Sequence, residues 1–132
     1  NIKLRGSFLN YDKQLGVDIY GGAIFNNDNG QIAHISFSFD NYYQCSYAIW
    51  GSKGKITANR AFTPSPDFAP QIILEKQDQK QEFIIKPDNH FINILKEFNR
   101  AIREKDFSPH CEDSLRQAKL LDQIRKNHAR AQ

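Results

Sequence analysis

Two stretches carry more polar and aromatic specification than a plain scaffold needs: Phe39-Asp40-Asn41-Tyr42-Tyr43 and Asn59-Arg60-Ala61-Phe62-Thr63-Pro64. The first is a polar-aromatic corner between two apolar runs. The second sets a cation and an aromatic just ahead of a proline-stiffened loop. Loops held by a sheet are where binding groups collect, although a structural corner is the plainer reading of both. Phe37, Phe39, Tyr42, Tyr43 and Tyr47, with Lys53, Lys55 and Arg60, have the composition of a stacking platform for single-stranded nucleic acid. Aromatics at period two more often face a core or an interface.

Other chemistry is thin. None of His34, His90, His110 and His128 pairs with another at the i, i+4 spacing of a helical metal site, and all read as ordinary solvated or interface positions. No metal ligands and no catalytic residues are assigned. Cys45 and Cys111 lie far apart and read as free buried thiols in a reducing compartment. Gly51-Ser52-Lys53-Gly54-Lys55 looks phosphate-friendly but opens no helix, so a hairpin turn accounts for it. No Gly-x-Gly-x-x-Gly follows a strand; Gly21-Gly22 lies inside one.

The elements that position these residues follow from composition and periodicity. The 132 residues suit a single domain, and at 39% hydrophobic and 12% aromatic they can bury a core. No apolar run approaches the roughly 18 residues that span a bilayer. Eighteen basic against 15 acidic residues give a formal charge of +3, too mild for a nucleic-acid footprint. Neither nucleic acid nor membrane is therefore an expected partner. The start, Asn1-Ile2-Lys3-Leu4-Arg5, has no initiator Met and no signal-peptide core, so we expect an internal piece of a longer cytoplasmic protein.

Strand signals fill residues 2–9, 17–25, 31–39, 43–50, 55–58, 71–76 and 81–86. Turn residues separate them at 26–30, at Asp40-Asn41, at 51–54 and at 77–80, and three prolines mark 59–70 as a loop. Asp88 is the expected N-cap of a helix whose stripe Phe91, Ile94 or Leu95, Phe98, Ala101 and Ile102 should pack on the sheet. Phe107-Ser108-Pro109 should break it. A second helix should begin near Cys111 and bury Leu115, Ala118, Leu121 and Ile124, with Arg125, Lys126, His128 and Arg130 at its C-terminal end and residues 129–132 frayed. Strands followed by helices predict an α+β fold: an open, mostly antiparallel sheet with two C-terminal helices packed on one face. The other face should carry Ser36, Ser38, Ser46, Gln44 and Gly22 with Tyr20 and Trp50, either facing water or forming an interface.

Residues 17–33, with Asn29-Gly30 between two strands, resemble the C-terminal domain of the Gfo/Idh/MocA oxidoreductases. Phe37-Ser38-Phe39-Asp40-Asn41-Tyr42-Tyr43-Gln44, Ile49-Trp50-Gly51-Ser52-Lys53-Gly54-Lys55-Ile56 and Asn59-Arg60-Ala61-Phe62-Thr63-Pro64 are similar to its sugar-nucleotide ketoreductase branch. Asn89-His90-Phe91, Phe98-Asn99-Arg100-Ala101-Ile102 and Glu112-Asp113-Ser114-Leu115 resemble the last helices of that family. The resemblance runs through essentially the whole chain. It implies a parent enzyme that moves hydride between NAD or NADP and a sugar or sugar nucleotide. The family's glycine fingerprint and its Glu-Lys-Pro segment have no counterpart, since Lys86-Pro87 lacks the Glu and lies in another element. The chain would thus be a substrate-binding and oligomerisation domain without the nucleotide-binding and catalytic half. Tyr42, Tyr43 and Arg60 are its candidate substrate-binding residues, because the guanidinium fork suits a phosphate or carboxylate. The open sheet face would join it to a second copy. The competing reading is a non-catalytic, homodimerising β-sheet module.

Overall fold

The computed structural model describes residues 2–62 and 64–131. The chain runs through β1 (Ile2–Asp12), β2 (Val17–Asn27), β3 (Ile32–Ser38), β4 (Tyr47–Gly51), β5 (Gly54–Asn59), β6 (Gln71–Lys76), β7 (Gln79–Ile84), α1 (His90–Glu104) and α2 (Ser108–Ala131). The α+β class is as expected. The strands form two antiparallel meanders, β1-β2-β3 and β4-β5-β6-β7, in place of a single sheet. Two compact units result, one of Asn1–Tyr42 with Phe107–Gln132 and one of Tyr43–Asp106.

In the first unit the turns are built by side chains that mimic backbone acceptors. Asp12 Oδ1 accepts from the amides of Gln14 and Leu15 at 2.7 and 2.9 Å. Asn27 Oδ1 accepts from the amides of Asn29 and Gln31 at 3.0 Å each, the Asx-turn chemistry that makes Asn frequent there. Register then sorts the side chains. Phe8, Gly22 and Ser36 lie abreast, as do Leu9, Gly21 and Phe37. Leu9, Ala23 and Phe25 are buried with Ile124 of α2, and Leu4 and Leu120 pack against them. Each large apolar side chain buried in this way contributes about 1.5–3 kcal/mol.

The C-terminal half of α2 also closes the free edge of β1. The Ser7 amide donates to Asn127 Oδ1 at 2.9 Å, and the Leu9 amide to His128 Nδ1 at 3.3 Å. The Ser7 hydroxyl donates to the Ile124 carbonyl at 2.7 Å. Edge amides left bare would be a template for aggregation. The helix face in use is therefore Leu120, Ile124, Asn127 and His128. The expected stripe is corrected: Leu115 and Leu121 are more than half exposed. A search for apolar periodicity alone passes over Asn127 and His128, and His128 is a structural acceptor here, not a solvated bystander.

In the second unit Ile49, Ile56, Leu74 and Gln81 lie abreast across the four strands. Gly54 has φ 155°, and a Cβ there would meet the Glu75 carbonyl at 2.5 Å, so the 51–54 turn requires glycine. Strand pairing begins at Tyr47, not at residue 43, and the last hairpin turns at residues 77–78, with Lys76 opposite Gln79. The N-cap of α1 is Asn89, whose side chain accepts from the Ile92 amide at 3.0 Å. Asp88 instead accepts from the Asn89 amide and the Asn93 side chain. The helix ends on Lys105 in left-handed conformation, φ 52°, with the Asp106 amide reaching back to the Ala101 carbonyl at 3.1 Å, a Schellman closure.

The stripe of α1 is not packed as expected. Phe91, Ile94, Leu95 and Phe98 are exposed, and Ala101 alone in that helix is buried. Pro109 does not delay α2, which starts at Ser108 and places the proline in its first turn, where no N–H is needed. The helix is continuous to Ala131, through most of the segment expected to fray. Thr63, Gln132 and the side chain of Arg130, all named in the sequence reading, lie outside the described residues.

Candidate functional site

Asn59 ends β5, and Arg60 follows it with φ 53°. A left-handed backbone is uncommon for a residue with a long side chain. The bonds that follow hold it. The Ala61 amide donates to the Cys45 carbonyl at 2.7 Å, and Cys45 Sγ donates to the Phe62 carbonyl at 3.1 Å. The Tyr47 and Phe62 rings stand 6.1 Å apart. These contacts draw residues 43–47 against residues 60–62, which is why 43–46 leaves the strand ladder.

The turn places the guanidinium carbon of Arg60 over two aromatic faces, 5.2 Å from the Tyr43 ring centre and 5.5 Å from that of Phe68. Phe68 is held by a turn in which its amide donates to the Ser65 carbonyl at 3.0 Å. Hydrogen bonding with Cys45, with lesser help from desolvation, raises the Tyr43 hydroxyl above the ordinary phenol range, against the opposing charge of Arg60. The geometry is a cation fixed by π-faces beside a tyrosine that stays neutral, an arrangement suited to an anion.

Of the three candidate residues, Tyr43 and Arg60 are brought together. Tyr42 is 97% exposed and ends the first segment of the other unit. Phe68, between Pro66 and Pro70, belongs to the cluster and was not a candidate. The expected seven-residue face is divided: Tyr20, Gly22, Ser36 and Ser38 lie in the first sheet, while Trp50 lies in β4 and Gln44 and Ser46 precede it. Gly51-Ser52-Lys53-Gly54 is a hairpin turn, and Lys55 pairs with Glu75 at 3.4 Å.

His34 is exposed on β3, and His90 and His110 stand in the first turns of the helices. Cys45 is half-buried and Cys111 exposed, both free thiols, so neither is the buried thiol expected. Among the described residues no three metal-ligating side chains cluster and no helix is long and apolar enough to cross a membrane.

No protein-family model matches the chain. It is 29% identical over 126 residues, 95% of its length, to a dTDP-3,4-didehydro-2,6-dideoxy-alpha-D-glucose 3-reductase of Actinomadura kijaniata. It is 27% identical over 121 residues, 90% of its length, to an enzyme of the same name from Streptomyces antibioticus. The chain spans 38% and 37% of the length of these curated relatives. It superposes on the crystal structure of KijD10, a 3-ketoreductase from Actinomadura kijaniata in complex with TDP-benzene and NADP, with a TM-score of 0.87 and 28% identity. That match covers 96% of this chain and 40% of the other.

Proposed function

We propose that this chain is the C-terminal substrate-binding and oligomerisation portion of an NADP-dependent oxidoreductase of the Gfo/Idh/MocA kind, acting on a sugar nucleotide in the cytoplasm. The likeness in fold and sequence along nearly the whole chain to a ketoreductase solved with a thymidine-diphosphate ligand and NADP carries this reading. In the parent enzyme hydride passes between the nicotinamide and a substrate carbon, and the fold here supplies walls for the substrate.

Two observations support locating the nicotinamide chemistry in polypeptide beyond these 132 residues. The sequence has no Gly-x-Gly-x-x-Gly. Every strand pairing described is antiparallel, whereas a dinucleotide site is built on the βα turn of a parallel unit. The residues present therefore do not fit a dinucleotide. Tyr43 and Arg60 face the substrate.

The face of the first sheet opposite the buried core supports a homo-oligomer. Phe8, Ile24 and Ile32 are exposed there, beside Gly22 and Ser36, which leave the surface flat. Exposed apolar patches of this kind mark association.

Thermal unfolding with and without dTDP tests the substrate reading. A ligand at ~100 times its dissociation constant stabilises by about 2.7 kcal/mol, a shift of several degrees for a chain of this size. We expect that shift with dTDP. A chain that associates but shows no shift at saturating dTDP would instead be the non-catalytic dimerising module.

A further inference from the structure

We propose that Arg60 is an oxyanion clamp that takes the diphosphate of a nucleotide-linked substrate along the edge of its guanidinium. The inference rests on the sugar-nucleotide reading for the identity of the anion, and on the geometry for the clamp itself.

The two contacts that position Arg60 are ring faces, at 5.2 Å for Tyr43 and 5.5 Å for Phe68. A ring face attracts the cation without consuming an N–H. Among the described residues the Arg60 side chain makes no hydrogen bond and no ion pair. Its five N–H donors thus remain for a ligand. Other cations of the chain are spent differently: Lys3, Lys55, Lys80, Arg100, Arg116 and Lys126 each hold a carboxylate. Arg60 is fixed in place and left un-neutralised.

The backbone argues in the same direction. A left-handed φ of 53° on arginine is retained because the Cys45 carbonyl and the Cys45 thiol hold the flanking residues. Strain kept by surrounding contacts is commonly strain in use. It aims the long side chain across Tyr43 and Phe68 instead of into open solvent. A planar fork with free edges matches a pair of phosphate oxygens two at a time. An ammonium presents no such fork.

Isothermal titration of the 132-residue chain with dTDP and, separately, with inorganic pyrophosphate tests this, on wild type, Arg60→Gln and Arg60→Lys. Wild type is expected to bind both. Each variant is expected to weaken both by about tenfold or more, the lysine variant because it keeps the charge and loses the fork. Circular dichroism confirms that each variant is folded, and Phe68→Leu gives a second probe that leaves Arg60 in the chain and weakens both ligands to a smaller degree. Pyrophosphate binding that needs Arg60, with no preference for dTDP, keeps the clamp and rejects the sugar-nucleotide reading. Binding of dTDP that is indifferent to both Arg60 variants rejects the clamp and keeps that reading. Absence of binding to either ligand by folded wild type rejects both.

Discussion

Arg60 decides between a binding site and a mere corner, and a glycine substitution separates the two. Arg60→Gly removes a left-handed penalty of about 1–2 kcal/mol and loses the contacts with Tyr43 and Phe68, which act in the opposite direction. We expect the urea midpoint to move little while phosphate binding disappears. A midpoint that collapses would make Arg60 a structural residue. Tyr43 gives a signed test of the same cluster by ultraviolet titration. The hydrogen bond with Cys45 raises the pKa of its hydroxyl and the charge of Arg60 lowers it. Cys45→Ala should therefore bring the phenol down toward its ordinary range, and Arg60→Gln should push it higher. Unchanged titration in both variants would mean the cluster is not formed in solution. The residue types of this site are legible in the sequence at Tyr43 and Arg60. Phe68 is not, because its approach depends on how the proline-flanked loop folds back, and no spacing rule encodes that.

Among the elements, α2 is the one whose role the pattern of apolar residues conceals. It secures the first sheet with Leu120 and Ile124, but also with two polar side chains that satisfy the β1 edge. Asn127→Ala leaves the Ser7 amide without its acceptor, at a cost of about 1–3 kcal/mol. Urea denaturation reads the loss, and hydrogen exchange should localise it to the Ser7 amide. An unchanged midpoint would show that the edge is not held by α2. Alternation and Asn-Gly turns make the first three strands readable to within a few residues. The break between the sheets is not readable, since residues 43–46 alternate like a strand and leave the ladder through contacts to Ala61 and Phe62. Likewise the α1 stripe has helical periodicity, yet periodicity does not say whether a partner covers Phe91, Ile94, Leu95 and Phe98.

At the scale of the whole molecule, the exposed apolar face of the first sheet is where the proposed association is tested, and the chain spans about two fifths of the length of the relatives it matches. Sedimentation should find a species at twice 15.3 kDa. Ile24→Lys, at the centre of the first sheet, should convert it to monomer. A monomer at high protein concentration would remove the oligomerisation role. The central claim is the division of labour between substrate binding here and electron transfer elsewhere. Its most direct test is titration of the 132-residue chain with NADPH, followed by nicotinamide fluorescence, in saturating dTDP. No saturable change in fluorescence is expected; tight, saturable binding of NADPH by this chain alone would overturn that division.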